Sequence, residues 1–221
     1  VALYGCAHAT RGSECTAALA LAVSVKLTPH VTLATAAAGM LSIDGRCKTL
    51  DARANGYARS DGVGALVLQQ SEKPRAHLSA IAVRQDGRSA SITAPNGSAQ
   101  LTLLRVAFQR ALIVASEITC SELHGTGTAL GDPTETGSLA AGHSARTTTL
   151  AVGAAKASLG HSESASGQVG LLKLCLIMTH AVVPGNAQLR FLSPIVGGRL
   201  HRAAWQCLLP IQAHTACSLQ T

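Results

Sequence analysis

An α/β fold with a parallel sheet is predicted from three features of the sequence. Short apolar runs alternate with helical patterns from about residue 96 to residue 181. Two of those runs are followed by a histidine set among glycines and hydroxyls, at His124 and His161. The composition is that of a packed interior, 47% hydrophobic against 13% charged. Strands that alternate with helices are joined by crossovers and lie parallel in one sheet. With only 2% aromatic residues, the packing must rest on Ala, Val, Leu and Ile.

In chain order, apolar residues at 1, 2, 3 and 6 give residues 1–10 a helical spacing with no cap before it, a helix already under way at Val1. Residues 16–27 are rich in Ala, Val and Leu and predict a buried strand, which Thr28 and Pro29 end. Glycines and charges over residues 39–62 predict a loop-rich region, and residues 63–70 and 78–83 predict two further strands. Asn96 is placed to cap a helix over about 98–115 whose apolar side is Leu101, Leu104, Val106, Phe108 and Leu112. Then come a strand at about 118–123, a helix at 133–143, a strand at 149–154 and a helix at 164–181. Pro184 and Pro194 break the next stretch, and no period is legible from Arg199 onward.

The net charge of +7 comes from 18 basic and 11 acidic residues, and no acid follows Glu163. A basic face suits an acidic partner, although a solvated surface with charge imbalance is the plainer and preferred account. Nucleic-acid binding is disfavoured, because the basic residues are dispersed and aromatics for stacking are almost lacking. No apolar run reaches the ~18 residues of a membrane span, and no leader pattern opens the chain. The seven cysteines, at 6, 15, 47, 120, 175, 207 and 217, form no CxxC pair. They read as free thiols of the cytoplasm or another reducing compartment, with targeting not legible.

The functional weight falls on residues 118–128 (ITCSELHGTGT) and 150–167 (LAVGAAKASLGHSESASG). Each is an apolar run followed by small residues, with a histidine at 124 or 161. Histidines at the ends of adjacent parallel strands face one crevice, where ligands of α/β sheets gather. A lone histidine after a strand is usually structural, but two in matched settings point to a site. His124, His161, Glu163 and Asp132 are all metal-ligand types. No pair of them has a local ligand spacing, so no metal is expected. Gly125 and Gly127 do not complete GxGxxG, and Lys156 lacks a phosphate-binding loop.

The strings HGTGTALGDPTETG and KASLGHSESASG, with histidines 37 residues apart, resemble the two histidine motifs of β-ketoacyl synthase (ketosynthase) domains of type I polyketide and fatty acid synthases. AGMLSIDGRCKTLDARANGYARSDGVGALVLQ and VRQDGRSASITAPNGSAQ resemble two further segments in the family's order. The resemblance runs from about Val1 to Ile195 and implies a thiolase-like layered αβαβα fold, incomplete at both ends. It divides the chain into residues 1–70, the end of the N-terminal half; 71–198, most of the C-terminal half; and 199–221, an unassigned tail.

By this resemblance His124 and His161 assist decarboxylation of a malonyl-type thioester, and the resulting carbanion attacks an acyl group held on a cysteine. Lys156 and Glu163 match the family's lysine and the acid after its second histidine, and are expected to pair and anchor the loop. Thr126 and Thr128 match threonines that contact a phosphopantetheine arm, though as turn-capping residues they need no ligand. No cofactor is expected to bind directly; the arm of an acyl carrier protein carries the substrate, that carrier protein is the partner, and the intact family is a homodimer. Cys15 in GSECTAALAL superficially resembles the family's nucleophile in ACSSSLVAL. In the better register, residues 1–21 follow the nucleophile, which then lies before Val1 and is absent from this chain. The glycine-rich GFGG segment of the oxyanion hole also has no counterpart in residues 195–221. Ala157, Ser162 and Ile43 depart from the motifs, where the family has Asn, an apolar residue and Pro. The chain alone is therefore expected to be inactive in condensation, and the alternative to a partial synthase is a catalytically dead structural or partner-binding module.

Overall fold

A computed structural model of the chain describes residues 1–91, 94–201, 207–209 and 214–215; the predicted tail beyond 201, with Cys217, falls largely outside them. The first helix, α1 (Ala2–Arg11), leads into β1 (Ala17–Ser24), which pairs antiparallel with β2 (Gly62–Gln69) from Ala17 opposite Gln69 to Ser24 opposite Gly62. Both strands match the sequence pattern, but β1 is not the buried strand expected. Its residues alternate in exposure, because α1 and α6 (Ser166–His180) pack against the ladder and leave its other face open. On that face Leu19 lies opposite Val67 and Val23 opposite Val63, with Leu21 between them 58% exposed. A contiguous apolar face of this kind drives association. The isolated chain is expected to self-associate in light scattering, and Leu21→Lys with Val67→Glu to reduce the particle size without loss of helix content.

After Pro29 the chain forms α2 (His30–Ala37), a helix the pattern of short runs does not reveal. Residues 39–61 are loop with isolated bridges only, as expected. Residues 78–83 form no strand. Arginine side chains take their carbonyl groups instead: Arg11 donates to the Leu78 and Ser79 oxygens at 2.7 and 2.9 Å, and Arg110 to that of Ile81 at 2.9 Å.

The cap predicted at Asn96 is present. Its Oδ1 accepts from the Ser98 and Ala99 amides at 3.1 and 3.2 Å to open α3 (Gly97–Ala111). The helix stops short of residue 115 because Leu112 turns left-handed, at φ 57°. The β/α alternation follows as read: β3 (Cys120–Glu122), α4 (Gly131–Gly142), β4 (Leu150–Gly153), the short α5 (Lys156–Leu159) and then α6. Val182–Val183 forms β5 and Pro194–Leu200 forms α7. Pro194 thus opens a helix rather than breaking the chain, since the first helical position needs no amide proton. Cys207–Leu208 (β6) joins the parallel sheet in the order β3-β4-β6, and His214–Thr215 (β7) pairs antiparallel with β5.

β4 is buried along its whole length, as expected for a central parallel strand covered by helices. Leu50, Leu123, Leu139, Leu150, Val152 and Val196 form the core around it. Arg146 is buried at the entry to β4, its guanidinium satisfied by the carbonyl oxygens of Ala115, Thr148 and Thr149.

Candidate active site

The parallel register of β3 and β4, with Glu122 opposite Gly153 and the Leu123 amide donating to the Gly153 oxygen at 2.8 Å, brings the segments after both strands to one edge of the sheet. There the His124 and His161 rings lie edge to face, with centroids 5.3 Å apart and planes at 85°. The convergence expected from the alternating pattern is therefore present.

His124 is held through its main chain. Glu135 on α4 accepts the His124 amide at 2.6 Å on one carboxylate oxygen and the Gly125 amide at 2.8 Å on the other. Lys156 Nζ donates to the His124 carbonyl at 2.6 Å and lies 3.4 Å from Nδ1 of its ring. Asp132, in the first turn of α4, accepts the Leu50 amide at 2.7 Å and the Gly127 amide at 3.1 Å, tying residues 47–51 to the glycine turn. Gly127 sits at φ +76°, and a Cβ there would meet the Lys48 nitrogen at 2.7 Å, so only glycine fits. Burial pushes the carboxyls of Asp132 and Glu135 up, while amide hydrogen bonds and the Lys156 charge oppose it. Burial likewise lowers the pKa of Lys156, against the pull of Glu135 and Glu122.

His161 follows Gly160 and is clamped by an adjacent segment: its amide donates to the Ala58 oxygen at 2.7 Å, and its carbonyl accepts from the Ser60 amide at 3.0 Å. Tyr57 stands edge-on to its ring at 5.2 Å. The Glu163 amide donates to Nδ1 at 3.0 Å, and Ser166 Oγ lies 2.8 Å from the same atom.

These contacts assign the tautomers. A backbone amide and an ammonium only donate, so Nδ1 of His161 and Nδ1 of His124 act as acceptors, and the proton of each neutral ring sits on Nε2. Loss of hydration, the Lys156 charge and the second ring lower His124 to about 4, although its outer edge is exposed. Loss of hydration and Lys156 lower His161 to about 4, with Glu163 opposing. Both rings are therefore neutral at pH 7 and are Nε2–H donors. Because the folded pKa lies below the ordinary histidine value of 6.5, the unfolded chain binds more protons between pH 6.5 and 4. Stability is expected to be full above pH 6.5 and to fall as pH drops to 4, which urea midpoints measured across that range will show; His124→Gln with His161→Gln should flatten the slope.

Glu163 departs from expectation. It pairs not with Lys156 but with Arg59, Nε to Oε1 at 2.8 Å, and with Lys26 at 3.6 Å. The His161 loop turns its carboxylate toward β1 and residues 58–60, away from the buried lysine. Arg59, and to a smaller degree Lys26, hold that carboxyl below the usual range. Thr126 and Thr128 are partly buried with their hydroxyl oxygens 3.2 Å apart, and Thr128 accepts the Gly131 amide at 3.1 Å where α4 begins. Glu122 at the end of β3 receives the Ala155 amide and pairs with Lys173 at 2.6 Å.

Cys15 lies at the far end of β1 from this site. Ser24, at the near end, contacts Glu163 at 3.3 Å, and the Ser164 hydroxyl donates to the Val23 oxygen at 2.6 Å. At ~3.3 Å per residue β1 places Cys15 more than roughly 20 Å away. Cys47 is closer, but its sulfur is buried, accepts the Ala58 amide at 3.2 Å, and has its pKa raised by loss of hydration. Among the described residues no cysteine hydrogen-bonds to either imidazole. Sequence reasoning missed Glu135 and Arg59; the only signal for Glu135 is an acid just beyond a glycine-threonine turn, and none marks Arg59.

Residues 1–74 match the β-ketoacyl synthase N-terminal domain and residues 75–190 the β-ketoacyl synthase C-terminal domain. The chain is 38% identical over 202 residues to erythronolide synthase EryA2 of Saccharopolyspora erythraea, covering 88% of this chain and 6% of that protein. It is 36% identical over 205 residues to the 6-methylsalicylic acid synthase of Aspergillus niger, covering 87% of this chain and 12% of the relative. Among solved structures, the oxazolomycin ketosynthase domain OzmH KS7 of Streptomyces albus matches with a TM-score of 0.90 at 28% identity, covering 96% of this chain and 38% of that one. The ketosynthase from module 6 of the Bacillus subtilis bacillaene synthase matches with a TM-score of 0.87 at 30% identity, covering 97% and 40%. The chain thus spans a small part of these curated relatives and well under half of the solved chains, and its α/β fold is the thiolase-like fold of ketosynthases.

Proposed function

The chain belongs to the β-ketoacyl synthase family, and from that premise we propose that it supplies the histidine half of a decarboxylating Claisen site in a polyketide synthase. The observation that carries the reading is the pair of neutral rings 5.3 Å apart, each with Nδ1 engaged and Nε2–H free as a donor among the described residues. When a malonyl-type thioester loses carbon dioxide, the electrons of the breaking C–C bond pass into the thioester carbonyl as an enolate. A preorganised donor at that oxygen is worth most as the charge develops. Neutral imidazole with its proton on Nε2 supplies that donor while Nδ1 stays an acceptor for the groups that orient the ring. Thr126 and Thr128 would bond the amides of a phosphopantetheine arm presented by an acyl carrier protein. Assembly as a homodimer and a division near residue 70 belong to the same reading. No helix of the described residues is long and apolar enough to cross a membrane.

In this reading no described thiol is the nucleophile. Covalent catalysis needs the acyl group on a cysteine facing the histidines, whereas Cys15 lies beyond a strand's length from them and Cys47 is buried against Ala58. Incubating the chain with an acyl thioester and mapping peptides by mass spectrometry is expected to show no stoichiometric acylation at one cysteine, and any malonyl decarboxylation is expected to be weak. Acylation at Cys15 that Cys15→Ala abolishes would overturn the reading.

A further inference from the structure

We propose that Arg59 is a positioning residue for His161: by clamping the Glu163 carboxylate it keeps the Glu163 backbone left-handed, so that the Glu163 amide stays on Nδ1 and the proton stays on Nε2. The catalytic meaning of this clamp rests on the function proposed above; the tautomer itself does not.

Glu163 has φ +45°, a conformation that side-chain-bearing residues avoid unless the surroundings impose it. Its neighbours Ser162 and Ser164 are not turn-forming glycines. The left-handed turn at residue 163 lets the chain enter the 3-10 turn and α6 while the Glu163 amide faces back to Nδ1 of His161 at 3.0 Å. What imposes the conformation is the fork of Arg59, Nε on Oε1 at 2.8 Å and Nη2 on Oε2 at 3.2 Å. The guanidinium side chain is only 8% exposed and is anchored behind by the Thr32 hydroxyl. A planar fork fixes direction as well as charge, which a lysine would not. The residues flanking Arg59 complete the arrangement, since the Ala58 carbonyl and the Ser60 amide grip the main chain of His161. One short segment therefore fixes both the backbone of the histidine and, through Glu163, the state of its ring.

The test is two-bond proton–nitrogen correlation NMR on the full chain with labelled histidine, His161 being identified by the signal lost in His161→Gln. The charged groups acting on this ring are Lys156, Glu163 and Lys26, with the His124 and Tyr57 rings in contact. In the native chain Nδ1 is expected to be unprotonated, with a titration midpoint about 4. Arg59→Ala is expected to give a mixture of tautomers and a midpoint displaced toward 6.5. Adding Glu163→Gly to Arg59→Ala is expected to restore the single tautomer, because glycine holds positive φ without an anchor. Arg59→Lys, which keeps the charge and loses the fork, should shift His161 in the same direction by less, and it serves if alanine unfolds the chain. An unchanged His161 signal in Arg59→Ala or, where that variant does not fold, in Arg59→Lys would overturn the proposal, as would a double variant no better than Arg59→Ala. If the tautomers respond as expected but a ketosynthase completed by this segment forms no product, the clamp stands and the functional reading fails alone.

Discussion

Alanine in place of His124 or His161 is expected to lower product formation ~100-fold to ~1000-fold, the loss seen when one preorganised donor is removed from a developing oxyanion. The suitable setting is a chimera in which this segment replaces the matching 40% of a solved ketosynthase, so that nucleophile and remaining tunnel are present. The two rings touch and share the Lys156 field, so their losses should not add. The double variant is expected to be only slightly worse than the weaker single one. Two independent losses multiplying fully would mean that the rings act in separate steps. Release of carbon dioxide from a malonyl thioester should fall with product formation, whereas acylation of the nucleophile should not. A uniform loss of both would show that the histidines hold the fold rather than the enolate.

Glu135→Ala carries the largest expected effect on stability, ~2–3 kcal/mol, since it takes the acceptor from each of two main-chain amides. The carboxylate satisfies the His124 and Gly125 amides, and its charge opposes that of Lys156, whose side chain donates to the His124 carbonyl in a site only 6% exposed. Alanine leaves two amides without acceptors and a buried ammonium with less compensation. Glu135→Gln keeps one acceptor and the shape, and should cost roughly half as much. Urea unfolding of the chain measures both. A loss below ~1 kcal/mol for the alanine variant would mean that Glu122 and Asp132 suffice to hold Lys156, or that Lys156 gives up its proton.

The sequence by itself determined the alternation of strands and helices, the cap at Asn96, and the pairing of two histidines at strand ends. Each of these is local: a period of apolar residues, an amide acceptor just before a helix, a histidine just after an apolar run. The same locality explains what it misread. Residues 78–83 have the composition of a strand, but a strand exists only through a ladder partner, and Arg11 and Arg110 occupy the carbonyl groups instead. Burial of β1 was inferred from its Ala, Val and Leu, yet burial depends on what covers each face, and only one face is covered. The chemistry of the site was decided by the tertiary structure. Which carboxylate meets which cation depends on the direction a loop takes, so Glu163 goes to Arg59, 104 residues earlier, while Glu135, 11 residues after His124, closes the histidine turn and faces Lys156. Residue types name the possible donors and acceptors; only the fold, by setting the Lys156 ammonium against Nδ1 of His124 and the Glu163 amide against Nδ1 of His161, decides where their protons reside.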